Sequence, residues 1–168
     1  MALSRTVSCF TPARARSLTD WVPDPCCTVN HPQGLPKFVQ AAYVTLGDNG
    51  LVHALLSPAS VTTSVAGGSV TVDCETNYPF EDVLSYRITA EKPFDFYVRQ
   101  PTWATGVKLS QHSSFNSETG LHKISLPAGA SRFTYAINTA VRTESRANDT
   151  VAVYRGQLLY AAEIGAEV

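Results

Sequence analysis

The stretch PDPCCTVNHPQG, residues 23 to 34, sets two cysteines side by side between prolines in a chain of 168 residues that holds four cysteines in all. Thiolates are strong nucleophiles and soft metal ligands, so adjacency raises both chemistries. A disulfide between neighbours would close a strained ring and is not a structural bridge. Two thiolates on one zinc ion are feasible, but zinc takes four ligands, or three and an open position. Cys26 and Cys27 supply two. Cys9 lies 17 positions before Cys26, and His31, four after Cys27, does not complete a set. The residues alone leave two readings open: metal binding by Cys26 and Cys27, or two small side chains buried near a turn.

Other groups offer less. His53 sits inside the apolar stretch LVHALLS and reads as a hydrogen-bonded core or edge histidine rather than a catalytic one. His112 and His122 are scattered. The carboxylate pairs Asp73 with Glu75 and Glu81 with Asp82 fall on strand or turn sequences, where solvation explains them; a glycosidase pair must face across a cleft about 5 to 10 Å wide. Trp103 and Tyr97 would stack on a sugar if both were exposed, although packing is the simpler expectation. Asn148-Asp149-Thr150 matches a glycosylation sequon and reads as a turn. No nucleophile elbow, phosphate loop, zinc-protease helix or dinucleotide fingerprint is present.

The elements that must position these groups follow from periodicity. Apolar residues make up 44% and charged residues 16%, with a formal net charge of -1. That balance supports a folded core and argues against an electrostatic grip on nucleic acid. No run of about 18 apolar residues exists, so no membrane-spanning helix is expected. Leu35, Phe38, Val39, Ala42, Tyr43 and Leu46 recur at helical spacing, with Pro36 near the first turn and Gly47 past the end, which predicts one amphipathic helix over about 36–46 that needs a partner surface. After Asp48-Asn49-Gly50 the period changes to two. SVTVDCE places Val70, Val72 and Cys74 on one side; VLSYRITA does so with Leu84, Tyr86 and Ile88, and PFDFYVRQ with Phe94, Phe96 and Val98. GVKLS, LHKISLP, SRFTYAIN, TVAVYRG and QLLYAAEI continue the alternation between turn residues. About eight to ten short antiparallel strands result, and with no second helix to cover them they pair face to face. The expected fold is mainly β: an antiparallel β-sandwich preceded by one amphipathic helix that packs at its entrance.

Three quoted segments carry a resemblance. PCCTVNHPQGLPKFVQAAYVTLGDNGLVHALLSPASV is similar to the double-cysteine segment of the β-L-arabinofuranosidases of glycoside hydrolase family 127. There a Cys-Cys-Pro-Pro-Asn type motif enters the last helix of an α/α barrel, and strands of a β-sandwich follow. ETNYPFEDVLSYRITAEKPFDFYVRQPTWA and NDTVAVYRGQLLYAAE resemble two later segments of that family in the same order. The likeness runs over about residues 26 to 164. It departs at Thr28-Val29-Asn30-His31-Pro32, where the family has two prolines and an asparagine, and at Gln157, where it has proline.

The resemblance implies that the helix is a remnant of the barrel's last helix. It implies that Cys26 is the nucleophile and a zinc ligand, that Cys27 is a second zinc ligand, and that the parent reaction is retaining hydrolysis of a β-L-arabinofuranoside. The barrel, with its acid/base glutamate and remaining ligands, is expected before Cys26. The chain is therefore expected to be a carboxy-terminal piece, inactive alone, with zinc belonging to the full-length family and the site here incomplete. The alternatives are an autonomous carbohydrate-binding or interaction module without catalysis, and a thiol or metal site built by Cys26 and Cys27 alone. Residues 1–25, with Arg5, Arg14 and Arg16 and no acid before Asp20, read as an extended or disordered leader or a transit peptide. Residues 26–50 form the double-cysteine segment and helix, and 51–168 the sandwich. The cysteine usage favours a reducing, cytoplasmic compartment.

Overall fold

In the computed structural model of the chain, residues 30–161 are described. A 3-10 turn, His31–Gln33, leads into a helix α1 at Gly34–Gln40. The strands follow in order: β1 Tyr43–Leu46, β2 Gly50–His53, β3 Ala59–Val65, β4 Gly68–Glu75, β5 Val83–Ala90, β6 Phe94–Arg99 and β7 Gly106–Leu109. Then come β8 Ser114–Asn116, β9 Leu121–Leu126, β10 Gly129–Asn138, β11 Val141–Ser145, β12 Val151–Arg155 and β13 Leu158–Tyr160. One sheet runs β1-β2-β6-β9-β8, the second β3-β4-β5-β10-β7, and a small third β11-β12-β13.

The two five-stranded sheets bury their inner faces against each other, as the alternation predicts. Val70, Val72, Cys74, Leu84, Tyr86 and Ile88 from the second sheet meet Phe94, Phe96, Val98, Ile124 and Leu126 from the first in one apolar cluster. The Tyr86 ring lies edge-on to Phe96 at 5.4 Å and is stacked on Phe133 at 4.9 Å. The first contact joins the two sheets, and the second is a cross-strand pair within one sheet, between β5 and β10. Outward residues of the same strands stay polar: Ser60 donates to Asp73 at 2.5 Å, and Arg87 pairs with Glu75 at 2.9 Å.

Turn chemistry joins neighbouring strands. Ala66 and Gly67 both adopt positive φ, 54° and 68°, and close the β3–β4 hairpin in the twist that strands favour. Asn148 and Asp149 do the same between β11 and β12, so the sequon does read as a turn.

Three features differ from the sequence expectation. The helix ends at Gln40, and Tyr43–Leu46 is a strand paired with Gly50–His53. Tyr43, Val44 and Thr45 favour the pleated conformation, and the turn Gly47–Asn49 folds them back onto β2. The Tyr43 ring then stacks on His53, its register partner, at 4.3 Å. Secondly, α1 buries no residue; Leu35 and Val39 are 54% and 63% exposed, and only Phe38 is half-buried. Thirdly, β2 and β6 pair in parallel. A parallel pair needs a long crossover, and β3, β4 and β5, which belong to the opposing sheet, provide it.

Candidate functional site

Cys26 and Cys27, the residues singled out for nucleophile and ligand roles, lie outside the described residues, as does Cys9. Among the described residues Cys74 is a free, buried thiol whose pKa burial pushes up to about 12. That keeps it protonated and unreactive. No group of three or more His, Cys, Asp or Glu side chains that could hold a metal exists among the described residues.

His53 is a core histidine, fully buried at the end of β2. Its Nδ1 is 2.8 Å from the Tyr86 hydroxyl, and Nε2 has no hydrogen-bond partner among the described residues. Burial lowers its pKa to about 4, with the Leu55 backbone opposing only weakly. His122 stacks on Phe115 and hydrogen-bonds Gln100 at 2.8 Å. The carboxylates are also taken up by structure. Asp82 accepts from Thr139 at 2.8 Å and from Arg155, which ties the third sheet to the sandwich. Neither carboxylate pair lines the cavity beside α1.

That cavity lies where loops from several strands meet α1. It measures about 210 Å³. Phe38 closes it from the helix, Tyr78 and Pro79 come from the β4–β5 loop, and Arg99 and Trp103 from the end of β6 and the loop after it. Gln157 reaches it from the β12–β13 turn. Arg99 is the only charged residue of the lining and makes no ion pair with the described residues. Burial pushes the Tyr78 hydroxyl up to about 12, with Asp82 adding to the effect and the Arg99 charge opposing it. The guanidinium therefore acts on the same wall as this hydroxyl.

Trp103 is held from behind. A Cβ added to Gly156 would lie 3.2 Å from the indole and 3.4 Å from Thr139, and Gly156 has φ 58°, so only glycine fits here without strain. Tyr97, weighed with Trp103 as an alternative to packing, does not line the cavity; it pairs in register with Val52 beside Gly50. The cavity residues span positions 38 to 157. No local spacing unites them, and the only signal in the sequence is the aromatic-proline content of Tyr78-Pro79 and Pro101-Thr102-Trp103.

Residues 50–119 match the family described as β-L-arabinofuranosidase, GH127 middle domain. No curated protein matches the chain in sequence. Among solved structures, a GH127 β-L-arabinofuranosidase from Geobacillus stearothermophilus T6 superimposes with a TM-score of 0.66 at 21% identity, over 80% of this chain and 23% of that one. A protein described as a glycoside hydrolase gives 0.70 at 20%, over 94% and 28%. A GH127 β-arabinofuranosidase gives 0.62 at 16%, over 80% and 25%. The chain thus spans about a quarter of the length of each of these structures. In sequence over residues 50–119, and in fold over 80% or more of its length, this chain is similar to the β-L-arabinofuranosidases of glycoside hydrolase family 127.

Proposed function

We propose that this chain is the β-sandwich part of a glycoside hydrolase of the GH127 β-L-arabinofuranosidase type, and that its task is to pack against and brace a helical catalytic barrel. The observation that carries this reading is the match of residues 50–119 to the middle domain of that family. The exposed apolar side chains Leu35 and Val39 of α1, the element nearest the double-cysteine segment in sequence, are what a helix belonging to a larger helical unit would present.

In this reading Cys26 is the nucleophile and a zinc ligand of the parent enzyme, and Cys27 a ligand. Zinc would keep a cysteine sulfur as thiolate at neutral pH. Cys26 and Cys27 would fill two of zinc's four positions, the others being left in this reading to the barrel; among the described residues no group of three or more His, Cys, Asp or Glu could hold a metal. General acid catalysis alone contributes about 10²- to 10⁴-fold, and no carboxylate lines the cavity to supply it. In this reading the acid/base glutamate belongs to the barrel, and the chain by itself is expected to hydrolyse nothing at a useful rate. The test is release of arabinose from a β-L-arabinofuranoside by the purified chain with added zinc; turnover near about 1 per second, the low end of ordinary enzymes, overturns the reading.

A further inference from the structure

We propose that the cavity between α1 and the β6–β7 loop is a subsite for one carboxylated sugar residue, a hexuronate, with Trp103 against the apolar face of the ring and Arg99 on the carboxylate. The choice of a sugar over another small anion rests on the glycoside-hydrolase reading; the size, charge and rigidity of the cavity do not.

Size comes first. A volume of about 210 Å³ falls below the roughly 300–1,000 Å³ of pockets that take drug-sized ligands, so it has room for about one ring. The walls suit a ring. Trp103, Phe38, Pro79 and Pro101 offer flat or rigid apolar faces, and an aromatic face packs against the C–H groups of a sugar while leaving its polar edge free.

The polar groups decide the class. Arg99 carries five donors and no acceptor, and no carboxylate lines the cavity to receive protons from sugar hydroxyls. Gln157 supplies an amide, and Tyr78 and Thr102 hydroxyls, for the hydroxyls of either sugar. A neutral pentose leaves the guanidinium without an anionic partner, whereas a carboxylate presents paired acceptors to it. Arg99 is free to make that contact, since it pairs with no described carboxylate.

The wall is built before any ligand arrives. Gly156 lies against the Trp103 indole and near Thr139, and Asp82 accepts from Thr139 and from Arg155, the residue before Gly156. Such pre-organisation lowers the cost of binding. Because Arg99 is exposed, its ion pair contributes modestly, and one ring is a small ligand. Dissociation constants in the range of about 1 to 10 mM are expected.

The experiment is an amide NMR titration of the full chain with D-galacturonate, L-arabinose and acetate in separate arms, repeated on Arg99→Gln. Expected are saturable shifts with galacturonate at Trp103 and Gln157, at least tenfold weaker binding of L-arabinose, and no displacement by equimolar acetate. Arg99→Gln, with its exposed side chain, keeps the spectrum of a folded protein and weakens galacturonate at least tenfold. In a Trp21→Phe chain, Trp103 fluorescence supplies an independent curve. The proposal is overturned by no saturable response up to about 50 mM, by equal affinity in Arg99→Gln, by arabinose binding as tightly as galacturonate, or by acetate displacing it. The bracing reading stands or falls separately, on whether the same sample releases arabinose.

Discussion

Lowering the pH from 7 to 4.5 should destabilise this protein steeply, and His53 supplies most of the effect. Its ring is fully buried, stacked on Tyr43 at 4.3 Å and bonded through Nδ1 to Tyr86. Only the Leu55 backbone favours the charged form, and burial outweighs it. Burial raises the pKa of Tyr43, Tyr86 and Cys74, so all three stay neutral throughout this range. The folded-state pKa of His53 is lowered to about 4 from the usual 6.5. A depressed pKa means that the unfolded chain binds more protons between these values. The stabilisation is full above 6.5 and is lost as pH falls toward 4. At 1.36 kcal/mol for each pH unit between the two values, the loss comes to about 3 kcal/mol, a large part of a typical domain's 5–15 kcal/mol. His122, also lowered by burial, titrates in the same direction, so the measurement belongs in a His122→Gln background. The Ser125, Lys123 and Asn49 contacts outweigh burial and hold Asp95 low, so its contribution is lost only at more acid pH. Urea unfolding followed by circular dichroism at half-unit pH steps gives the slope, and the His53 Cε1 proton gives the site. Stability unchanged between pH 6.5 and 4.5, or a His53 midpoint at 6 or above, would refute the reasoning.

Further outcomes follow from the same geometry. Tyr86→Phe leaves Nδ1 of His53 buried without its partner and should cost about 1–3 kcal/mol, read from the urea midpoint. Gly156→Ala adds a methyl group against Trp103 at a left-handed residue and should destabilise by at least about 1 kcal/mol while altering the Trp103 emission. Asp82→Ala should loosen β11–β13 rather than the whole fold: amide exchange accelerates over residues 141–160 while Val72 and Phe96 remain protected. Phe96→Ala, at the centre of the ring cluster, should cost about 3–5 kcal/mol.

The strands were legible because a half-buried sheet leaves a period of two in the sequence. Val70, Val72 and Cys74, Leu84, Tyr86 and Ile88, and Phe94, Phe96 and Val98 are all buried as that period requires. His53 was legible as a core histidine for a different reason: its neighbours Leu51, Val52 and Leu56 are apolar, and β2 is buried at every position. The end of α1 was not, because Ala42, Tyr43 and Leu46 satisfy helical spacing while strand pairing with β2 gives Tyr43 a better contact. Of the two aromatic residues weighed between packing and a sugar platform, Trp103 lines a cavity, whereas Tyr97, six positions before it, pairs with Val52 in register on β6. Pocket residues drawn from separate loops leave no periodic trace. The parallel register of β2 with β6 left none either, since alternation is identical in both orientations.

That parallel pair also sets the order in which the molecule can assemble. The second sheet contains the run β3-β4-β5, whose neighbours in space are neighbours in sequence, and such local pairings form early. Gly50, by contrast, must find Asp95 across the whole of that meander. Until β6 emerges and docks, the β1–β2 hairpin has an unsatisfied edge and an apolar face awaiting cover. A nascent chain ending near residue 93 would therefore be the species most prone to stick to its neighbours.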